Sequence, residues 1–381
     1  FMIVDGMGFE HIKAARIYNG QKPFSFEKFP CKSKVTTCSI DGADENGKCL
    51  SETQDVTDSA AGATAMAAGI KVKNGAISQS KTHELKTILE ILKEQGKSTG
   101  VIATKLFTDA TPAAFISHAD GRADTKEILK DIFEESKPTL ILGADNKLHK
   151  SYAEKSGAYR MVGNALELKS LAKELSLKPC SGLSCPKVYG GFGEWDMIPG
   201  VYANKSGLIL EINSQKEFSK LGIPHLSEMT DAALKILSKN DKGFFLMVES
   251  SMPDMISHYN SQIEATGTKA ISVLIPEMLE VEKTAQVIEG FIKKHPDTLL
   301  VITADHETGG LVVKSDETKC LGQKKCVAQV MWTSKKYEPT LESAARHTAA
   351  DVPLYALGKG SERYCQEKIN NIDIPNLALG N

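Results

Sequence analysis

The sequence predicts an α/β fold: a three-layer sandwich whose largely parallel central sheet is covered by helices on both faces, with added insertions. Three observations predict it. Short apolar runs alternate with helical patterns along the chain, which is the mark of a parallel sheet buried beneath helices. No internal repeat, low-complexity tract or linker divides the 381 residues. Carboxylates and histidines stand directly after several apolar runs, at the sheet edge where open α/β folds bind ligands.

In order, strands are expected at 1–4, 99–103, 139–142, 243–248, 298–303 and 352–357. Helices are expected at 60–68, 84–95, 113–118, 125–135 and 226–238, with a long amphipathic one at 270–293. Two segments break the alternation. Residues from 146 to about 224 are polar and in places Gly-rich, and those from 309 to about 346 hold a cysteine pair and Trp332. Both are expected beside the core sheet, as insertions in one domain spanning 1–381.

Composition bounds the function. The chain is 41% apolar and 25% charged with a net charge of −2, so no basic excess argues for nucleic acid. Its longest uncharged run of small and apolar residues, 60–70, falls short of the ~20 residues of a membrane span. The first residues already read as a strand, without initiator Met or signal peptide, so the natural N-terminus is expected to have been cleaved or left out. Eight cysteines include two pairs close in sequence, Cys180 with Cys185 and Cys320 with Cys326. These read as small disulfide loops of an oxidising compartment, periplasmic or secreted, because their spacing does not suit zinc knuckles. Cys31, Cys38, Cys49 and Cys365 leave two further bridges of open pairing.

The stretch from Asp55 to Gly69 sets Ser59 at the mouth of a helix built almost wholly of Ala, Gly and Thr. A helix so thin can lie tightly against a sheet, and its N-terminus favours an anion beside Ser59. Taken alone, Asp58 and Ser59 are ordinary N-caps. The strand ends change that reading. Strand 1–4 runs into Asp5, strand 99–103 leads to Asp109 and Thr111, strand 243–248 ends at Glu249, and strand 298–303 ends at Asp305 and His306. Carboxylates converging on one edge repel one another unless cations lie among them, so a metal centre is the economical explanation. Asp254 and His258, four residues apart, would share one helix face and could grip one ion. His347, just before the last strand, could bring another imidazole to that edge.

These motifs, in this order and spread over nearly the whole chain, resemble the alkaline phosphatase family. Asp58-Ser59-Ala60-Ala61-Gly62-Ala63-Thr64-Ala65 is similar to its nucleophile signature, and Asp5-Gly6-Met7-Gly8 to its first metal motif. Asp109-Ala110-Thr111-Pro112-Ala113-Ala114 with His118 and Arg122 resembles its central motif, and Val248-Glu249 through Asp254 and His258 its third. Ala304-Asp305-His306 and His347-Thr348 complete the set. The resemblance implies two zinc ions and one magnesium ion per chain. Asp254, His258 and His347 would hold the first zinc, and Asp5, Asp305 and His306 with Ser59 the second. Asp5, Thr111 and Glu249 would hold the magnesium, a ligand division that agrees with the preference of zinc for imidazole and of magnesium for oxygen.

The activity so implied is hydrolysis of phosphate monoesters of broad range through a phosphoserine on Ser59, with Arg122 holding the phosphoryl oxygens and net retention at phosphorus. The resemblance also implies a homodimer, with the second insertion in the place of a crown-like subunit contact. A sulfatase lacks support, since Ala60 to Ala63 follow Ser59 without the Pro and Arg of that signature. A two-zinc phosphodiesterase and an inactive phosphate- or metal-binding relative are the alternatives. One departure stands out: Met255 follows Asp254 where family members often carry Lys or His, while Asp109 stays acidic. With that cation gone, Asp109 is expected to hold magnesium's waters from outside, and product phosphate is expected to bind weakly; the alternative is that Met255 merely packs on the helix while another cation, for instance from the 146–224 insertion, takes its place.

Overall fold

The computed structural model describes residues 1–50, 55–193, 201–203, 209–211, 222–265, 267–314, 326–334 and 346–380. Its centre is a ten-stranded sheet. In chain order the strands are β1 (Met2–Val4), β2 (Cys31–Thr36), β3 (Ser98–Leu106), β4 (Leu140–Ala144), β5 (Tyr159–Val162), β6 (Lys187–Gly191), β7 (Phe244–Ser250), β8 (Leu299–Thr303), β9 (Val352–Gly358) and β10 (Lys368–Asn370). Across the sheet the order is β10-β2-β9-β8-β1-β7-β3-β4-β6-β5. Every pairing is parallel except those of β9, which runs antiparallel to both β8 and β2. Strands β1 and β4 are buried at every residue, as parallel strands covered on both faces must be.

The flanking helices are α1 (Phe9–Tyr18), α2 (Ser59–Ala68), α3 (Ile88–Glu94), α4 (Ala110–Ile116), α5 (Thr125–Asp131), α6 (Lys147–Ser156), α7 (Ala165–Leu175), α8 (Leu226–Leu237), α9 (Met252–His258), α10 (Asn260–Ala265), α11 (Ala270–Ile292) and α12 (Asp373–Leu379). Helix α2 packs against α4, while α11 packs against α1, α8 and α9. No helix among the described residues is long and apolar enough to cross a membrane.

Most expected elements are present, and the shifts have local causes. The helix expected at 84–95 begins only at Ile88, because Thr87 and Glu90 form a reciprocal capping box. The one expected at 113–118 starts earlier, after Asp109: Pro112 falls in its first turn, where its missing N–H costs nothing. It also stops before His118, whose backbone N–H and Nδ1 instead meet the Asp131 carboxylate at 2.6 and 2.9 Å. The helix expected at 125–135 is α5 followed by a π turn, Ile132–Ser136.

The 146–224 segment corrects the expectation of an insertion beside the core. It supplies α6, α7 and two strands of the central sheet, β5 and β6, which extend the sheet beyond β4. The apolar residues of β5 and β6 are too few and too broken by Gly and Arg to read as buried strands in the sequence. In the 309–346 segment, Leu311–Val313 pairs with Val330–Trp332 as a small hairpin.

Disulfides join Cys31 to Cys365, Cys38 to Cys49 and Cys180 to Cys185. The last is the expected small loop, and the first two settle the open pairings. Cys326 is also disulfide-bonded, whereas Cys320, its expected partner, lies outside the described residues. The Cys31–Cys365 bridge closes a loop of 334 residues and ties β2 to the C-terminal segment. Replacing both cysteines by Ser is expected to cost about 2–5 kcal/mol, because so long a loop greatly enlarges the unfolded ensemble when opened. A lowered urea midpoint checks this, and an unchanged midpoint would show that the crosslink adds nothing.

Candidate metal centre

The strand register gathers the acidic groups. Ile3 lies beside Thr303 in β8 and beside Glu249 in β7, so Asp5 and Asp305, each two residues on, reach the same level past the strand ends. Asp5 is fixed there by its backbone N–H, which donates to the Ser250 carbonyl at 3.0 Å. The antiparallel direction of β9 does the complementary work. Its first residue lies at the edge where the parallel strands finish, and His347 just before it pairs with Thr308 in a short ladder.

Two ligand groups form. Asp5, Asp305 and His306 bring their ligand atoms within 4.8 Å of one another, and so do Asp254, His306 and His347. His258 joins the second group. Its Nε2 lies 2.9 Å from His347 Nε2 and 3.2 Å from Asp254 Oδ1, as four-residue spacing on α9 requires. Glu249 is fully buried on β7, and Thr111 is buried in the first turn of α4. Thr111 makes no hydrogen bond with Asp5 or Glu249 among the described residues.

Hydrogen bonds orient the imidazoles. Thr308 Oγ1 donates to Asp254 Oδ1 at 2.5 Å, so it can only accept from His306 Nδ1 at 3.2 Å. That places the proton of His306 on Nδ1 and turns a bare Nε2 toward Ser59 Oγ, 3.1 Å away. His347 Nδ1 likewise donates to the Thr57 carbonyl at 2.9 Å and leaves its Nε2 free to ligate. Helix α9 is itself bolted to α1. The Gly8 N–H donates to His11 Nδ1, so His11 Nε2 donates to Ser257 Oγ at 3.0 Å.

Close backbone approach completes the arrangement. A Cβ on Gly62 in α2 would stand 3.0 Å from the Asp305 carbonyl oxygen, so any larger residue there would push the helix away from this loop. Gly6, at φ +73°, would place a Cβ 2.7 Å from Asp254 Cα, and its N–H donates to Asp305 Oδ1. The thin helix expected around Ser59 therefore packs on the loop that carries Asp305 and His306.

Whether cations fit here is decided by the buried oxygens. Asp5 Oδ1, Asp305 Oδ2 and both carboxylate oxygens of Glu249 are buried without a hydrogen-bond partner among the described residues. Burial, with Asp305 and Asp254 alongside, raises the Asp5 carboxyl well above its usual range. Burial and Asp254 push Asp305 up to about 7, while burial and Asp109 push Glu249 up to about 8. Burial opposes ionisation of Asp254 as well, yet His258, His347 and His306 outweigh it and hold that carboxyl at about 2. Burial first, then His347, keeps His306 neutral. Imidazoles, and buried carboxylates without a hydrogen-bond partner among the described residues, aimed at shared points are the donor set of a metal centre.

Arg122 lies beside this centre. Its Nη1 donates to Asp58 Oδ2 at 3.1 Å and its Nη2 to Asp109 Oδ1 at 3.2 Å. Asp58 also caps α2, accepting from Ala61 N–H at 2.9 Å, so the guanidinium is tied to the residue preceding Ser59.

Around Met255 the structure corrects the sequence reading. A cation is not missing: Lys105 Nζ lies 2.5 Å from Asp109 Oδ2 and 3.5 Å from Met255 Sδ. Strand β3 continues to Leu106, past its expected end at 103, and carries Lys105 to the level of the site. Sequence reasoning passed over Lys105, and also Thr308 and Thr57. The i, i+4 spacing of Lys105 and Asp109 was the available signal.

A sequence model of the alkaline phosphatase family matches residues 1–370. Alkaline phosphatase 3 of Bacillus subtilis (strain 168) is 33% identical over 335 residues, 83% of this chain, which spans only 62% of that protein's length. Alkaline phosphatase of Escherichia coli (strain K12) is 29% identical over 94% of this chain and 80% of its own. Among solved structures, alkaline phosphatase from the Antarctic bacterium TAB5 aligns with a TM-score of 0.71 and 26% identity, covering 100% of this chain and 96% of the other. A substituted form of that enzyme is described with Mg bound in its M3 site. Family match, fold and metal-ligand cluster agree: the chain belongs to the alkaline phosphatase family.

Proposed function

We propose that the chain hydrolyses phosphate monoesters through a phosphoserine on Ser59, at a centre for two zinc ions and one magnesium ion. The observation that carries this reading is Ser59 Oγ at 3.1 Å from the bare Nε2 of His306, beside partnerless carboxylate oxygens of Asp5 and Asp305. Asp254, His258 and His347 would hold one zinc, and Asp5, Asp305, His306 and Ser59 the other. Glu249, Thr111 and Asp5 would hold the magnesium, with Asp109 beside it. When bound, these ions supply the Lewis acidity that stabilises charge on the attacking and leaving oxygens.

The chain's own residues do the rest. Arg122 presents its planar fork to two non-bridging oxygens of the phosphoryl group, a geometry suited to the dianion of a monoester. Ser59 Oγ gives its proton to solvent water and attacks phosphorus in line; the P–Oγ bond forms as the bond to the departing alkoxide breaks, and the alkoxide takes a proton from water. Standing at the first position of α2, the phosphoserine meets the positive end of the helix. Water then attacks phosphorus from the vacated side, breaks the P–Oγ bond and returns Ser59. Each step inverts, so configuration is retained. The disulfides support an oxidising compartment, periplasmic or secreted, and a homodimer is the assembly we infer from the family, to be checked by light scattering.

Replacing Ser59 by Ala removes the nucleophile. Hydrolysis of an aryl phosphate monoester should fall by several orders of magnitude and no phosphoserine should be trapped. Full activity in this variant would defeat the mechanism.

Chelation should inactivate the protein and zinc with magnesium should restore it. His347→Ala should hold about one zinc ion fewer per chain by elemental analysis. Unchanged zinc content would remove His347 from the ligand set.

Metal loading should also release protons. The raised carboxyls of Asp305, at about 7, and Glu249, at about 8, still hold part of their protons in the folded metal-free chain at neutral pH and must lose them to ligate. Stabilisation by metal should therefore grow as pH rises from about 6 to 8, and calorimetry in two buffers should find more protons released at pH 6.5 than at pH 9. Release independent of pH would place these carboxylates outside the centre.

A further inference from the structure

Charged groups beside Ser59 form a chain of alternating sign, Asp58–Arg122–Asp109–Lys105, with successive contacts of 3.1, 3.2 and 2.5 Å. Its components are held from outside. Asp58 is anchored by the N–H groups of Ala61 and Gly75, and the Arg122 backbone N–H donates to the Gly75 carbonyl at 2.8 Å. Lys105 is the last residue but one of β3, four residues ahead of Asp109. The Arg122 side chain is 35% exposed, against 17% for Lys105, so the guanidinium faces the opening and the ammonium lies deeper.

Charge bookkeeping shows what the ammonium does. Arg122 with Asp58 and Asp109 alone carries a net negative charge, which would repel a phosphate dianion, and both terminal nitrogens of its fork would be engaged by carboxylates. Lys105 brings the four groups to neutrality. It also gives Asp109 a second partner, one whose contact is shorter than that of Arg122 and which lies against Met255 Sδ at 3.5 Å.

We propose that Lys105 is a positioning residue for phosphoryl binding: it retains Asp109 while the Arg122 fork turns from that carboxylate to the phosphoryl oxygens. The proposal rests on the function proposed above. A charged contact at a partly exposed site is worth up to about 1 kcal/mol, and one in a less hydrated setting more, so its loss corresponds to about five- to tenfold in affinity. Lys105→Met keeps the length of the side chain and deletes the charge. It should raise the inhibition constant of inorganic phosphate and the KM for an aryl phosphate monoester by about five- to tenfold, with the loss carried by KM rather than by kcat. Lys105→Arg should bind phosphate close to the parent. In the Lys105→Met background, Met255→Lys should recover part of the lost affinity, because it returns an ammonium to the same place from α9.

Calorimetric titration of the metal-loaded proteins with inorganic phosphate separates this proposal from the function on which it rests. If the parent hydrolyses no monoester, the proposed function fails, and the titration still decides the role of Lys105. Phosphate affinity in Lys105→Met within about twofold of the parent overturns the proposal, as does Lys105→Arg weakening phosphate as much as Lys105→Met. A weakened Lys105→Met restored by Met255→Lys supports it.

Discussion

Mutual repulsion among buried carboxylates is the constraint on which the rest of this structure depends. Parallel register carries Asp5, Glu249 and Asp305 to one edge of the sheet from three adjacent strands, where they are buried and several of their oxygens have no hydrogen-bond partner among the described residues. In such surroundings an ionised carboxyl is costly unless it is paired, so the metal-free chain keeps protons on groups that ordinarily lose them near pH 4. Cations are the natural replacement for those protons. The electrostatic cost of gathering these carboxylates is thus met by protons in the metal-free chain and would be met by cations at an occupied site, a common coupling between metal binding and folding.

Around that edge the sequence spends small residues and hydroxyls. Gly62 lets α2 approach the Asp305 backbone, and Gly6 lets the first loop pass Asp254. Thr308 orients both Asp254 and His306 with one hydroxyl, while the Thr57 carbonyl fixes the ring of His347. These groups hold no ion themselves. They decide which nitrogen of each imidazole is bare and where it points, and metal affinity depends on that as much as on the ligands.

The opening beside Ser59 is governed differently, by alternating charge. Asp58 and Asp109 each hold one end of the Arg122 fork, and Lys105 offsets the negative charge they bring. The residues concerned come from three separate stretches of chain, yet two backbone contacts at Gly75 lock Asp58 and Arg122 into one unit.

Much was legible in the sequence because it was local. Apolar runs marked six strands, the small-residue stretch after Asp58 marked the helix that carries Ser59, and the spacing of Asp254 and His258 placed two ligands on one helix face. Those signals depend on backbone periodicity, which a sequence states directly. Strands β5 and β6 escaped because their burial comes from neighbours rather than from an apolar pattern of their own. Tertiary structure alone decided the rest. The antiparallel direction of β9 brings His347 to the parallel strand ends, the fold pairs Cys31 with Cys365 across 334 residues, and the extra length of β3 puts Lys105 beside Met255, where the sequence showed no cation. Charge balance at a site is a property of positions in space, and a residue supplied by another strand leaves no trace in the motif it completes.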